Sequence, residues 1–127
     1  MTLNDVIQQI DQTHPSSFSY EQKVAWLSEL DTRAYAVMSR HQMELPEFHG
    51  YTEEDGGKDL LINTPYDDVY AEYLEMKISL GDRDYAYYNN AATLFSGMWN
   101  EWTSFINRSY RPVDKIKLFN FKGERNV

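Results

Sequence analysis

The chain has 127 residues with 42% hydrophobic and 25% charged, which suits one folded domain around one core and excludes a disordered chain or a second independent domain. It has no cysteine, so disulfides, thiolate catalysis and Cys-ligated zinc are excluded. A formal net charge of −8 disfavours sequence-specific or generic nucleic-acid binding, because phosphates are held by Lys and Arg.

In chain order, Leu3, Val6, Ile7 and Ile10 recur at helical spacing behind Thr2, a suitable N-cap, and predict a short helix that stops before His14-Pro15. The start of the chain has no basic residues followed by an apolar run. No uncharged stretch is long enough to span a bilayer, so a product made in the cytoplasm, with no membrane partner, is expected. Ser16-Ser17-Phe18 reads as a turn, and Ser19 with Gln22 forms a capping-box signal for a second helix from Tyr20 to about His41. Its apolar stripe is Tyr20, Val24, Leu27, Leu30, Ala34, Val37 and Met38, with Trp26 on the shoulder; Glu21, Lys23, Glu29 and Arg33 are expected in water.

Between Met43 and Leu60 the periodicity fails, and Pro46, Gly50, Gly56, Gly57 and Glu53-Glu54-Asp55 mark a long acidic loop. Leu60-Leu61-Ile62 is either a very short strand or a loop anchor. Thr64-Pro65-Tyr66-Asp67 then gives an N-cap, a proline at the first helical position and an acid in the first turn. The third helix is expected over Pro65 to Leu80, with Gly81 as its stop. A fourth, from about Arg83 to Asn107, carries Tyr88, Ala91, Leu94, Phe95, Met98, Trp102 and Phe105 at three- and four-residue steps and is expected to be the longest and central one. Val113 to Phe121 alternates loosely and reads as an extended arm or strand. The expected architecture is all-α: a bundle of three to four helices over residues 1–112 with a long acidic loop, followed by an extended basic arm over 113–127.

Charge is unevenly distributed. Ten acids lie between Glu44 and Glu75 against Lys58 alone, whereas six bases lie from Arg108 onward against Asp114 and Glu124. An acidic middle and a basic tail can fold together or pair head-to-tail between copies. Ten Tyr, six Phe and three Trp add rigid contact area with polar edges. Tyr66, Tyr70 and Tyr73 make a ladder on the third helix, open to two uses, core packing or an interface stripe. Tyr85, Tyr87 and Tyr88 cannot all face one way, so at least one is exposed. The candidate contact residues are therefore Tyr66, Tyr70, Tyr73, Tyr87, Tyr88, Lys115, Lys117, Phe119 and Phe121.

Signals for chemistry are sparse. His14, His41 and His49 are not spaced as helix-borne metal ligands and read as surface or capping residues. Glu72 with Glu75, or Asp67 with Asp68, could form a carboxylate pair, but a solvated helix face accounts for them equally. No dinucleotide, phosphate-loop, calcium-loop or nucleophile-elbow pattern occurs. No catalytic residue, metal or cofactor is expected.

Several runs in this order carry a resemblance: Trp26-Leu27-Ser28-Glu29-Leu30-Asp31, Pro46-Glu47-Phe48, Pro65-Tyr66-Asp67-Asp68-Val69-Tyr70, and Tyr87-Tyr88-Asn89-Asn90-Ala91-Ala92-Thr93-Leu94-Phe95. The chain resembles the small head–tail connector or adaptor proteins of the neck of tailed phages and prophages of Gram-positive bacteria. That resemblance implies an all-helical structural virion protein, not an enzyme, that forms a homo-oligomeric ring of about a dozen copies bridging the portal protein to the next neck or tail component. The alternative from the residues is a small acidic binding module, a DNA-mimic inhibitor of a host nucleic-acid enzyme; a carboxylate-bound metal enzyme is a third.

Overall fold

A computed structural model of the protein describes residues 1–41 and 45–109. They form four helices, α1 (Leu3–Thr13), α2 (Tyr20–Ser39), α3 (Asp68–Gly81) and α4 (Tyr85–Ser109), with a short 3-10 turn at Glu53–Asp55. Among the described residues there is no strand, only an isolated bridge between Thr2 and Asp59. The arm expected over 113–127 lies outside the described residues.

α1 begins where the sequence places it. Thr2 accepts from the Asp5 N–H at 3.1 Å and the Asp5 carboxylate accepts from the Thr2 N–H at 3.0 Å, a reciprocal cap. Two further N–H groups of the first turn, Leu3 and Asn4, donate to the Lys58 and Gly56 carbonyls, both at 3.0 Å. The loop thus satisfies donors that a helix start leaves without partners. Leu3, Val6, Ile7 and Ile10 are buried. α2 is capped by Ser19, whose hydroxyl accepts from the Gln22 N–H at 3.1 Å, and buries Val24, Leu27, Leu30, Ala34, Val37 and Met38. Lys23 departs from expectation: it is buried, with its ammonium paired to Asp11 of α1. Its long stem lies in the α1–α2 seam, which periodicity within α2 alone does not reveal.

The third helix starts at Asp68, not Pro65. The Thr64 hydroxyl donates to the Asp67 carboxylate at 3.0 Å rather than capping a helix, and the Tyr66 N–H closes a turn onto the Asn63 carbonyl at 2.9 Å. Gly81 is also not the stop; it is the last helical residue, and the turn follows at Asp82 and Arg83, the latter at φ 61°. Glycine at 81 instead admits the Phe18 ring, which a Cβ there would overlap. α3 buries Val69, Tyr70, Tyr73, Leu74, Ile78 and Ser79 and is the element that packs against α1, α2 and α4. The central helix is therefore α3. α4 is the longest, but only Ala91, Trp102 and Ile106 are buried on it. Leu60 and Ile62 are buried and belong to no strand, so that run is a loop anchor.

Candidate functional site

Of the two uses open to the tyrosine ladder, Tyr70 and Tyr73 take core packing: both are buried. The Tyr70 hydroxyl donates to Asp31 Oδ1 at 2.6 Å and accepts from the Ile62 N–H at 2.7 Å. Asp31 Oδ2 accepts from the Tyr51 hydroxyl and, at 3.0 Å, from the Leu61 N–H. This fully buried carboxylate thereby ties α2, α3 and the 51–62 segment together. Burial raises the Asp31 pKa, against the lowering effect of those three donors, and burial beside that carboxylate raises both tyrosines. Tyr73 donates to Glu29 at 3.0 Å, and its hydroxyl is pushed up to about 12, first by burial and then by that bond.

Tyr66 is half-buried and stacks on Phe105, with ring centroids 5.0 Å apart and an interplanar angle of 28°. The two rings line a cleft of about 350 Å³ together with Met38, Leu61, Asn63, Thr64, Pro65, Trp102 and Ile106. Start of α3 and end of α4 meet here because the two helices run antiparallel. Lys115, Lys117, Phe119 and Phe121 lie outside the described residues.

At the opposite end of the hairpin, the start of α4, the surface is both aromatic and acidic. Tyr85 is 57% exposed and Tyr87 45% exposed, while Tyr88 is half-buried. The Tyr87 ring lies 5.3 Å from the His14 ring, and its hydroxyl donates to Glu75 Oε2 at 3.5 Å. His14 Nδ1 pairs with the other Glu75 oxygen. The negative charge of Glu75, joined by Glu72 and Asp84, raises the Tyr87 pKa; burial and the Glu75 charge raise that of Glu72. The cluster concentrates negative potential beside exposed rings, a surface that attracts Lys and Arg through charge and ring faces.

Leu94, placed by spacing on the inner face of α4, is 46% exposed. It lies seven positions after Tyr87, so both fall on the outer stripe with Asn90, Gly97, Glu101, Ser104 and Arg108, every one exposed. That 3–4 spacing, offset by one from the buried stripe, was the available signal for Leu94. His41 is buried, not at the surface, and caps the end of α2: Nδ1 donates to the Val37 carbonyl of its last turn at 3.1 Å, and Nε2 lies 3.0 Å from the Asn107 amide oxygen. His14 is the C-cap residue of α1, and His49 is exposed beside Glu47. Among the described residues no three His, Asp or Glu side chains gather as a metal site requires, and none of their helices is long and apolar enough to cross a membrane. No protein-family model, curated protein or solved structure matches the chain.

Proposed function

We propose that the chain is a structural subunit that assembles with copies of itself, a head–tail connector of a tailed-phage virion made in the bacterial host cytoplasm. In this reading the helices form a bundle with a long acidic loop held against it. The subunit closes into a ring between the portal protein and the next neck or tail component. The observation that carries the self-assembly is the separation of two complementary features along α4. The acidic, tyrosine-bearing surface sits at its first turns, and the run of six bases begins at its last residues, Arg108 onward. A helix of 25 residues is about 37 Å long, which separates the acidic surface at its start from Arg108 at its end; unlike charge at two separate places on one subunit is what a head-to-tail contact uses. The connector identity itself is supported by the sequence resemblance.

Light scattering coupled to size exclusion, over a wide range of protein and salt concentration, tests this, with negative-stain imaging of large species. Rings that loosen as salt screens the contact support it; a salt-indifferent monomer or dimer at high concentration overturns it. One observation favours a second reading, the acidic binding module. Glu53 of the loop lies beside Glu21 of α2, and that neighbour raises the Glu53 pKa, a local meeting of two carboxylates of the kind that a mimic of DNA phosphates would repeat. Such a module stays monomeric or dimeric in the same experiment.

A further inference from the structure

The cleft at the end of α4 is an apolar recess with aromatic walls. It is lined by Met38, Tyr66, Trp102, Phe105 and Ile106 together with Leu61 and the 63–65 segment, and Met38, Trp102 and Ile106 are buried. At about 350 Å³ it falls in the range of pockets that take a compact apolar group. We propose that its occupant is the segment Phe119-Asn120-Phe121 of the same chain, folded back so that a phenylalanine enters the cleft.

Chain length and position select this occupant. Phe105 and Ile106 lie within one turn of Ser109, where α4 ends, and Phe119 follows ten positions later. Ten residues reach up to about 33 Å when extended, ample for a return to a cleft at the same helix end. A segment tethered this closely experiences an effective concentration on the order of millimolar, above that of a neighbouring copy at micromolar protein. Charge agrees in sequence: Asp67 and Asp68 follow Tyr66, a lining residue, and Lys115 and Lys117 precede the two phenylalanines. The inference stands apart from ring assembly, although it has a consequence for it. A segment docked on its own subunit keeps its bases at the end of α4 remote from the Glu75–Tyr87 surface, where an unanchored one could reach back and neutralise that surface.

Because the chain lacks cysteine, an introduced pair is the only one able to oxidise. Full-length Asn63→Cys/Asn120→Cys, which keeps both phenylalanines, should form an intramolecular disulfide under mild oxidation at least tenfold faster than Gln8→Cys/Asn120→Cys. Adding Phe119→Ser and Phe121→Ser should bring the rate down to that of the control, separating docking from mere tethering. A rate indifferent to the phenylalanines overturns the proposal. So does an Asn63→Cys/Asn120→Cys variant whose disulfide forms only between chains, since the segment then serves a neighbour. Intact docking with no rings sinks only the assembly reading, and rings without docking sink only this one.

Discussion

Asp31 carries a buried carboxylate that receives the Tyr51 hydroxyl, the Tyr70 hydroxyl and the Leu61 N–H. Removing it with Asp31→Ala strands the Tyr70 hydroxyl and the Leu61 N–H in the core. The expected loss is about 2–4 kcal/mol in denaturant unfolding, and a loss under 1 kcal/mol would mean that the 51–62 segment is held by its apolar anchors alone. The raised pKa has a definite sign. A carboxyl raised on folding binds its proton more tightly in the folded chain, so its stabilisation is complete below the unfolded value of about 4 and is lost as pH rises through the folded one. The melting temperature of the native chain should therefore gain on that of Asp31→Asn as the pH falls from neutrality toward that range. A difference that stays flat with pH would show that burial does not outweigh the three donors.

Helix starts and surfaces set the next scale. The first turn of α1 is closed by Thr2, Asp5 and the loop carbonyls of Gly56 and Lys58, so a local cap also fixes where the loop lies. Thr2→Ala should cost about 1 kcal/mol in thermal or denaturant unfolding; no loss would mean that the loop carbonyls suffice. α4 is different in kind: only Ala91, Trp102 and Ile106 are fully buried, Phe95, Met98, Trp99 and Phe105 pack partly against the core, and its outer stripe meets solvent. Gly97 lies mid-helix on the outer stripe with open space where a Cβ would stand. Gly97→Ala should therefore stabilise the chain by about 0.5–1 kcal/mol through helix propensity, seen as a raised melting temperature. A lowered one would mean that another part of the molecule approaches the helix there.

For the whole molecule, stability and association should be separable. Tyr85 and Leu94 are exposed and contribute little to the core, so Tyr85→Ser with Leu94→Ser should change unfolding by no more than about 0.5 kcal/mol each. The same pair should weaken any salt-sensitive assembly, read as a shift of the scattering profile to higher protein concentration. Equal assembly of the native and double-substituted chains would direct attention away from the start and outer stripe of α4. Tyr70→Phe, in contrast, should destabilise the fold, because the hydroxyl it removes bridges Asp31 and Ile62.

Sequence alone determined the four helices, the caps at Thr2 and Ser19, and most of the inner faces, because helix periodicity and capping are written within a few consecutive residues. The candidate surface was only half legible. Tyrosine serves core and interface equally well, and spacing on one helix does not say which stripe another helix will cover, so Tyr70 and Tyr73 became core while Tyr85, Tyr87 and Leu94 stayed outside. Tertiary structure decided the rest: the central place of α3, the burial of Lys23 against Asp11 and of His41 beside Asn107, and the gathering of Tyr51, Leu61 and Tyr70 on Asp31. Each of these joins residues distant in sequence, and a buried charge or hydroxyl is stable only once its partner has been brought to it. No local pattern records that partner, so the chain's polar interior had to be read from its fold.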